Sequence, residues 1–488
     1  MKNKAYSPAS KPFERSLSLS ALGALSACVY LLTLVFYFRG PDSRTRTGKE
    51  LFAWLCVLTL LPLFWAGYRR VNESRDAGTL RAVVIFGSLF CLLAVFIFPF
   101  HSTDVFGYIN RGWQQVHYGQ NPYVFTTAEI PGWQQDPMIH EHWIYNPDPY
   151  GFLFTLMSRA LAALGGGNWT LTLLLFKTVN AAAYGLTAWV VWSGARLLGH
   201  QKPTLALYAF MWNPLVLMHC LANGHNDILV GCLVALALYA AVRGGEVWII
   251  PLLAAATLLK YGPVLLIPPA FVFIVKRRGW KTALAGCAIA ALVTAAASAP
   301  YIQDWRQFRL EDIRDNASLI DNSLHSLLIH IYENVSRLVT PLAQFHDLVN
   351  STIKDALRLG FLAFLLVVYA RVPKSFSARQ LTEKSALILF VLICVVSSKF
   401  NAWYMGMILA PALLLEEESW LRQLVLLVTC AELLSLTFFK QAYMLNYLAM
   451  VVVPAWIIYR RTRRVAIQQV VQAGPQNVAP QTSLRAHG

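Results

Sequence analysis

The sequence predicts an all-α, polytopic integral membrane protein, a helical bundle with roughly 12–14 membrane segments. Three observations carry this reading. Of the 488 residues, 57% are hydrophobic and only 14% are charged. The apolar residues come in blocks, many of about 17–25 residues, which matches the thickness of bilayer hydrocarbon rather than a period of 2 or 3.6. The basic residues gather in short clusters between those blocks, as cytoplasmic loops do.

Taken in order, residues 1–16 form a basic tail with Lys2, Lys4, Lys11 and Arg15, expected in the cytoplasm. The run 17–38 is too long for the core of a cleaved signal and is expected to be a first span. Further apolar runs lie near 51–67, 82–99, 170–196, 204–221, 228–242, 247–259, 262–275, 282–299, 355–370, 385–398, 403–415, 420–438 and 445–459. Several are too short to cross alone without tilt or a broken-helix geometry. The bundle is thus expected over 17–459, and the basic stretch 460–488, with Arg460, Arg461, Arg463 and Arg464, is expected to be a disordered cytoplasmic tail.

Placing the N-terminus inside and reversing at each run puts every basic cluster in the cytoplasm: Arg69, Arg70, Arg75 and Arg81; Lys276, Arg277, Arg278 and Lys281; Arg371, Lys374, Arg379 and Lys384. The loop 39–50, with Arg39, Arg44, Arg46 and Lys49, is the one misfit. The segments 100–169, 222–227 and 300–354 then fall outside, as do the turns at Lys260-Tyr261-Gly262-Pro263 and Lys399-Phe400-Asn401. Within the first of these, Gly151–Leu164 is apolar but too short to cross, and suits a helix lying in the outer interface.

The net charge of +16 belongs to this topology rather than to nucleic-acid binding, because it is dispersed between spans instead of forming one basic face. The 8 cysteines have neither metal-ligand nor redox spacing and read as small core residues.

The unusual polar residues fall on one side. His101, Asp104, Arg111, Asn121, Asp148, His225, Asn226, Asp227, Lys260, Asp304, Asp321, His325, Lys399 and Asn401 all sit in outer segments or at span ends that open to them. Span centres look nearly clean, which disfavours a pump or ion-coupled transporter. Asp104 follows its span by only a few residues, where nearby lipid raises a carboxyl pKa and makes a better base unless a cation overcompensates. The plain alternative is a helix cap, since Ser102-Thr103-Asp104 is good capping chemistry. Capping is equally open for Asp227, and interfacial snorkelling for Lys260. Asp304, Glu311, Asp312, Asp315 and Asp321 read as a solvated surface.

The pattern Asp104-x-x-x-Tyr108, Gly112 and Gly119-x-Asn121-Pro122-Tyr123 resembles the outer loop of polytopic GT-C glycosyltransferases, and most of all the bacterial polyprenyl-phosphate-mannose-dependent mannosyltransferases. The likeness continues through Pro149-Tyr150-Gly151, Trp212-Asn213-Pro214, Gly224-His225-Asn226-Asp227, Lys260 before a Gly-Pro turn, and Asn401-Ala402-Trp403-Tyr404. It implies transfer of a hexose, usually mannose, from a polyprenyl-phosphate donor to a glycan or lipid-linked acceptor on the extracytoplasmic side, with inversion. By the same likeness Asp104 is the base. Lys260, Arg111 and Lys399 are candidates for the donor phosphate. Tyr108, Asn121, Tyr123, His225, Asn226, Asp227, His325, Trp403 and Tyr404 are candidates for sugar or acceptor.

No cofactor is expected, and with no Asp-x-Asp beside Asp104 the case for a divalent metal is weak but open. Many relatives place the acid after the first span, whereas here it follows the third, so two leading spans look like an addition. The rival readings are a flippase for a lipid-linked glycan and a GT-C enzyme with another lipid-linked donor.

Overall fold

The computed structural model describes residues 17–37, 46–74, 76–312, 320–434 and 446–473. Among them every regular element is a helix, and one isolated bridge joins Asp321 to Lys399. The chain is therefore an all-α membrane protein, as its composition requires. The loop 39–50 misfit lies mostly outside the described residues, as do Arg75, Asp315, the tail 1–16 and the last residues from 474.

The first three helices are long: α1 (Leu19–Tyr37), α2 (Arg46–Glu73) and α3 (Ala77–Phe96). Two helices follow in the first polar segment, α4 (Asp104–His117) and α5 (Phe152–Gly165). Gly112 lets them touch, because a Cβ there would lie 2.4 Å from the Ser158 carbonyl oxygen. Next come α6 (Trp169–Leu197), α7 (Pro203–Met211), a π-helical segment Val216–Ala222 and α8 (Asp227–Arg243). Then follow α9 (Ile249–Thr257), α10 (Ile267–Arg278), α11 (Trp280–Ser298), α12 (Leu324–Leu338), α13 (His346–Ala370), α14 (Ala378–Val391), α15 (Met405–Leu413), α16 (Trp420–Glu432) and α17 (Val453–Ala473). Helix α17 runs through the basic cluster to Ala473, beyond position 460 where a disordered tail was expected.

Fewer runs make long straight spans than the count of apolar blocks implies. Among the described residues 5 helices are long and apolar enough to cross, or 6 if α7 and Val216–Ala222, bent by 53°, make one span. The cause is local chemistry. Trp212-Asn213-Pro214 breaks the run 204–221, Gly262-Pro263 ends α9 from α10, and a π-helical turn at Leu392–Val396 follows α14. Proline removes a helical donor and clashes with the preceding turn. Of these, α7 and Val216–Ala222 bury nearly all their faces against neighbours.

Three glycine contacts bring the loop ends together. A Cβ on Gly231 of α8 would lie 2.2 Å from the Gly406 carbonyl oxygen of α15. A Cβ on Gly151 would lie 2.4 Å from the Leu258 carbonyl oxygen, so the first polar segment closes directly on the end of α9. Gly224 has φ +77° and would place a Cβ 3.1 Å from Val105. Left-handed backbone and a tight neighbour both exclude a side chain there.

Candidate functional site

Asp104 is the first residue of α4, and its position is set from α6 and the segment after the π-helical turn. The buried Asn223 accepts hydrogen bonds at Oδ1 from the backbone N–H groups of Phe100 (2.9 Å) and His101 (2.8 Å), and donates from Nδ2 to Met218 (2.7 Å). Asn180 of α6 donates to the carbonyls of Cys220 (2.9 Å) and His225 (3.0 Å). Lys177, also on α6 and buried, donates to the Ile97 carbonyl just after α3. The span centres are thus less clean than the sequence suggests: two buried polar side chains of α6 satisfy backbone groups that would otherwise be stranded in a low dielectric.

The cap position of α4 falls to Thr103, whose side chain makes no capping bond but accepts from Trp143 Nε1 at 3.1 Å. Asp104 instead turns into a cavity of about 800 Å³, large enough for a sugar and its phosphate. Its carboxylate keeps 17% exposure. Burial pushes its pKa up, but His225, Lys260 and Lys399 outweigh burial and hold the carboxyl below the usual range. Of the two outcomes the sequence left open at this position, the second holds: the neighbouring hydrogen bond and lysines overcompensate for burial.

Two lysines share the cavity wall with Asp104. Lys260 Nζ lies 2.7 Å from Asp227 Oδ1 and 4.8 Å from the centre of the Tyr404 ring. Lys399 Nζ lies 6.0 Å from the Trp143 ring centre, and its strand segment is held by backbone bonds from Asp321 N to Ser398 O and Phe400 N to Asp321 O, both 3.0 Å. Trp143 has φ 64°, an unusual conformation for a bulky residue. Apolar side chains complete the lining, among them Pro263, Leu310, Leu389, Leu392, Ile393 and Met407.

Arg111, Trp403 and Tyr404 also line this cavity. Arg111 is already engaged, donating to the Asn146 carbonyl at 3.4 Å and facing Asp148 at 3.8 Å. Burial raises the Asp148 carboxyl, and Arg111 draws it back.

The other sequence candidates stand one layer away. Tyr108 packs edge-on to Tyr150 at 5.2 Å, and Tyr123 donates to the Tyr150 carbonyl at 2.9 Å, so both brace a residue that lines the cavity. Asn121 donates to Asp304 Oδ2 at 3.0 Å and tethers a loop. His325 pairs with Asn350 at 2.7 Å, away from the cavity. Asp227 starts α8 rather than capping it and is fully buried beside Lys260; Asn226 is buried next to it. His225 lies behind Asp104, stacked on Trp403.

Asn180, Asn223 and the apolar wall went unassigned in the sequence reading, and Asp321 lines the cavity instead of joining a solvated surface. An asparagine inside an apolar run was the available signal for Asn180. The wall residues look like any span residue and carried none. Among the described residues no group of three or more His, Cys, Asp or Glu side chains is arranged to hold a metal ion.

A family described as alpha-(1->6)-mannopyranosyltransferase, N-terminal domain, matches residues 19–278. That stretch contains Asp104, Arg111, His225 and Lys260, and stops short of Lys399 and Trp403. The chain is 28% identical over 202 residues to alpha-(1->6)-mannopyranosyltransferase A of Corynebacterium glutamicum, covering 40% of each chain. It is 28% identical over 256 residues to alpha-(1->6)-mannopyranosyltransferase A of Mycobacterium tuberculosis, covering 51% of this chain and 46% of that one. The chain thus spans less than half the length of these relatives. No solved structure matches it significantly.

Proposed function

The chain belongs to the family of alpha-(1->6)-mannopyranosyltransferase N-terminal domains, and from that premise we propose that it moves mannose from a polyprenyl-phosphate donor to a glycan or lipid-linked acceptor on the extracytoplasmic side of the membrane. The observation that carries this reading is the composition of one cavity: the Asp104 carboxylate beside Lys260 and Lys399, with Arg111 and Asp321 also in the lining, and a set of apolar side chains. A sugar phosphate on a long prenyl chain needs that combination, with cations for the phosphate and apolar surface for the first isoprene units.

In the reaction, Asp104 takes the proton of the acceptor hydroxyl. The acceptor oxygen attacks the anomeric carbon as the bond from that carbon to the phosphate oxygen breaks, and its electron pair leaves with the phosphate. One-step displacement inverts the anomeric centre, so an α product, as the relatives' names state, requires a β-linked donor. Lys260 spends one N–H on Asp227 and keeps two for the departing phosphate. Lys399 lines the same cavity from a different chain segment. Holding Asp104 ionised makes it a weaker base but keeps it ready at every physiological pH.

Purified protein in detergent, offered a panel of polyprenyl-phosphate sugars with a mannan oligosaccharide acceptor, should yield a product one hexose heavier with the mannosyl donor. Transfer with another sugar and none with mannose would redirect the assignment. No transfer from any lipid-linked donor would overturn it.

A further inference from the structure

His225 is fully buried, and its ring lies flat on the Trp403 indole at 3.9 Å and 10°. Its own carbonyl is held by Asn180 at 3.0 Å. Backbone and ring are thus both fixed. Among the described residues neither ring nitrogen has a hydrogen-bond partner, yet Nδ1 sits 3.4 Å from Asp104 Oδ2. A buried imidazole with an unmet donor is unfavourable unless that donor is used at another stage.

We propose that His225 is the positioning residue of the base: neutral and protonated on Nδ1, it donates to Asp104 Oδ2 and so turns Oδ1 toward the acceptor hydroxyl. This deepens the transfer reading above and rests on it, since it presupposes that Asp104 is the base. It also replaces the sequence expectation that His225 binds sugar, because His225 does not line the cavity. The other tautomer would set a lone pair of Nδ1 against a carboxylate, so the carboxylate itself selects the proton's place. Hydrogen bonds of this kind are often long before substrate binds and tighten in the reacting complex.

The charged and titratable groups around His225 come from several elements. Asp104 faces it from α4. His219 lies 6.2 Å away, ring to ring, on the π-helical segment, and meets His101 edge-on at 5.0 Å. Asp227, two residues on, is already paired with Lys260, and Trp403 covers the open face. Lys260 and Lys399 both share the cavity lining with Asp104.

The test compares His225→Asn, whose Nδ2 falls near the position of Nδ1, with His225→Gln and His225→Ala. Steady-state kinetics with the polyprenyl-phosphate mannose donor are measured beside melting temperature in detergent. His225→Ala and His225→Gln should lower kcat roughly 10- to 100-fold, the scale of one lost hydrogen bond to a charged group. Donor KM should stay unchanged, and the acid limb of the pH–rate profile should move to higher pH. His225→Asn should restore most of kcat and return the limb. Should His225→Ala fail to fold, the Asn–Gln pair decides. Folded Ala and Gln variants with wild-type kcat, or an Asn variant no better than Gln, overturn the proposal. Asp104→Asn is run alongside: turnover in that variant defeats the base reading itself, whereas an inactive Asp104→Asn with a normal His225→Ala defeats only the positioning role.

Discussion

Lys260 and Asp227 form an ion pair at 2.7 Å in which the carboxylate is fully buried and the lysine still reaches the cavity. The pair ties α8 to the end of α9 and leaves ammonium hydrogens for a second anion. Removing one partner of such a pair is expected to cost about 3–5 kcal/mol, because the other charge is left stranded. Lys260→Met should therefore lower the melting temperature and cut kcat/KM for the donor by about 100-fold or more. The double variant Lys260→Met with Asp227→Asn should regain stability and stay inactive. Thermal unfolding and donor kinetics on both variants check this, and recovered activity in the double variant would remove Lys260 from the phosphate site.

The pH dependence follows from the lowered carboxyl of Asp104. The base works only when deprotonated, so activity should hold as pH falls below the ordinary carboxylate range near 4. A depressed folded pKa also contributes stability that is present above the unfolded value and lost as pH falls through the folded one. Lys399→Met removes one of the groups holding that pKa down, so its acid limb should shift upward while the neutral rate falls. A pH–rate profile with an unmoved limb would mean that Lys399 does not sense Asp104.

Asn223 spans two chain segments, accepting from Phe100 and His101 and donating to Met218. Asn223→Ala leaves two partly buried backbone donors without their acceptor and should cost about 1–3 kcal/mol. Because those donors fix the approach to Asp104, kcat should fall more than donor affinity. Ligand-binding and turnover measurements on the same preparation separate the two effects.

Gly231 and Gly406 make the close crossing that brings α8, next to His225, against α15, next to Trp403. Gly231→Ala puts a Cβ within 2.2 Å of a carbonyl oxygen, so the helices must part, at a cost of about 1–3 kcal/mol. The His225–Trp403 stack should loosen with them. Trp403 fluorescence and melting temperature report on this, and an unchanged melting temperature would show the crossing is not tight.

The apolar wall is testable by chain length. Leu392→Asn should raise the KM of a long-chain polyprenyl donor several-fold, the loss of part of one buried side chain, and leave a short-chain soluble analogue unaffected. Equal effects on both donors would place the lipid elsewhere.

Much of the site was legible because it is anomalous. Asp104, Lys260 and Lys399 are ionisable residues at the ends of apolar runs, where water-free neighbours make charge expensive, so each needed a reason. Helix type and the partner helices of the first polar segment were legible for the same reason, through composition and block length. Other features leave no local trace. The bond from His101 N–H to Asn223, the stack of His225 on Trp403 and the bridge from Asp321 to Lys399 join residues far apart in sequence. Asn121, Tyr123 and His325 look like site residues by type, yet tertiary contacts give them bracing work elsewhere. Pro214, Pro263 and π-helical turns divide several apolar runs into short helices, the broken geometry that their lengths anticipated.

Asp104→Asn tests the central claim most directly, because it keeps the shape of the side chain and removes its ability to hold a proton. Transfer of mannose from the polyprenyl-phosphate donor should fall at least about 100-fold, the lower end of a general base's contribution, with melting temperature and donor binding close to wild type. A folded Asp104→Asn protein that transfers mannose at the wild-type rate would contradict the account.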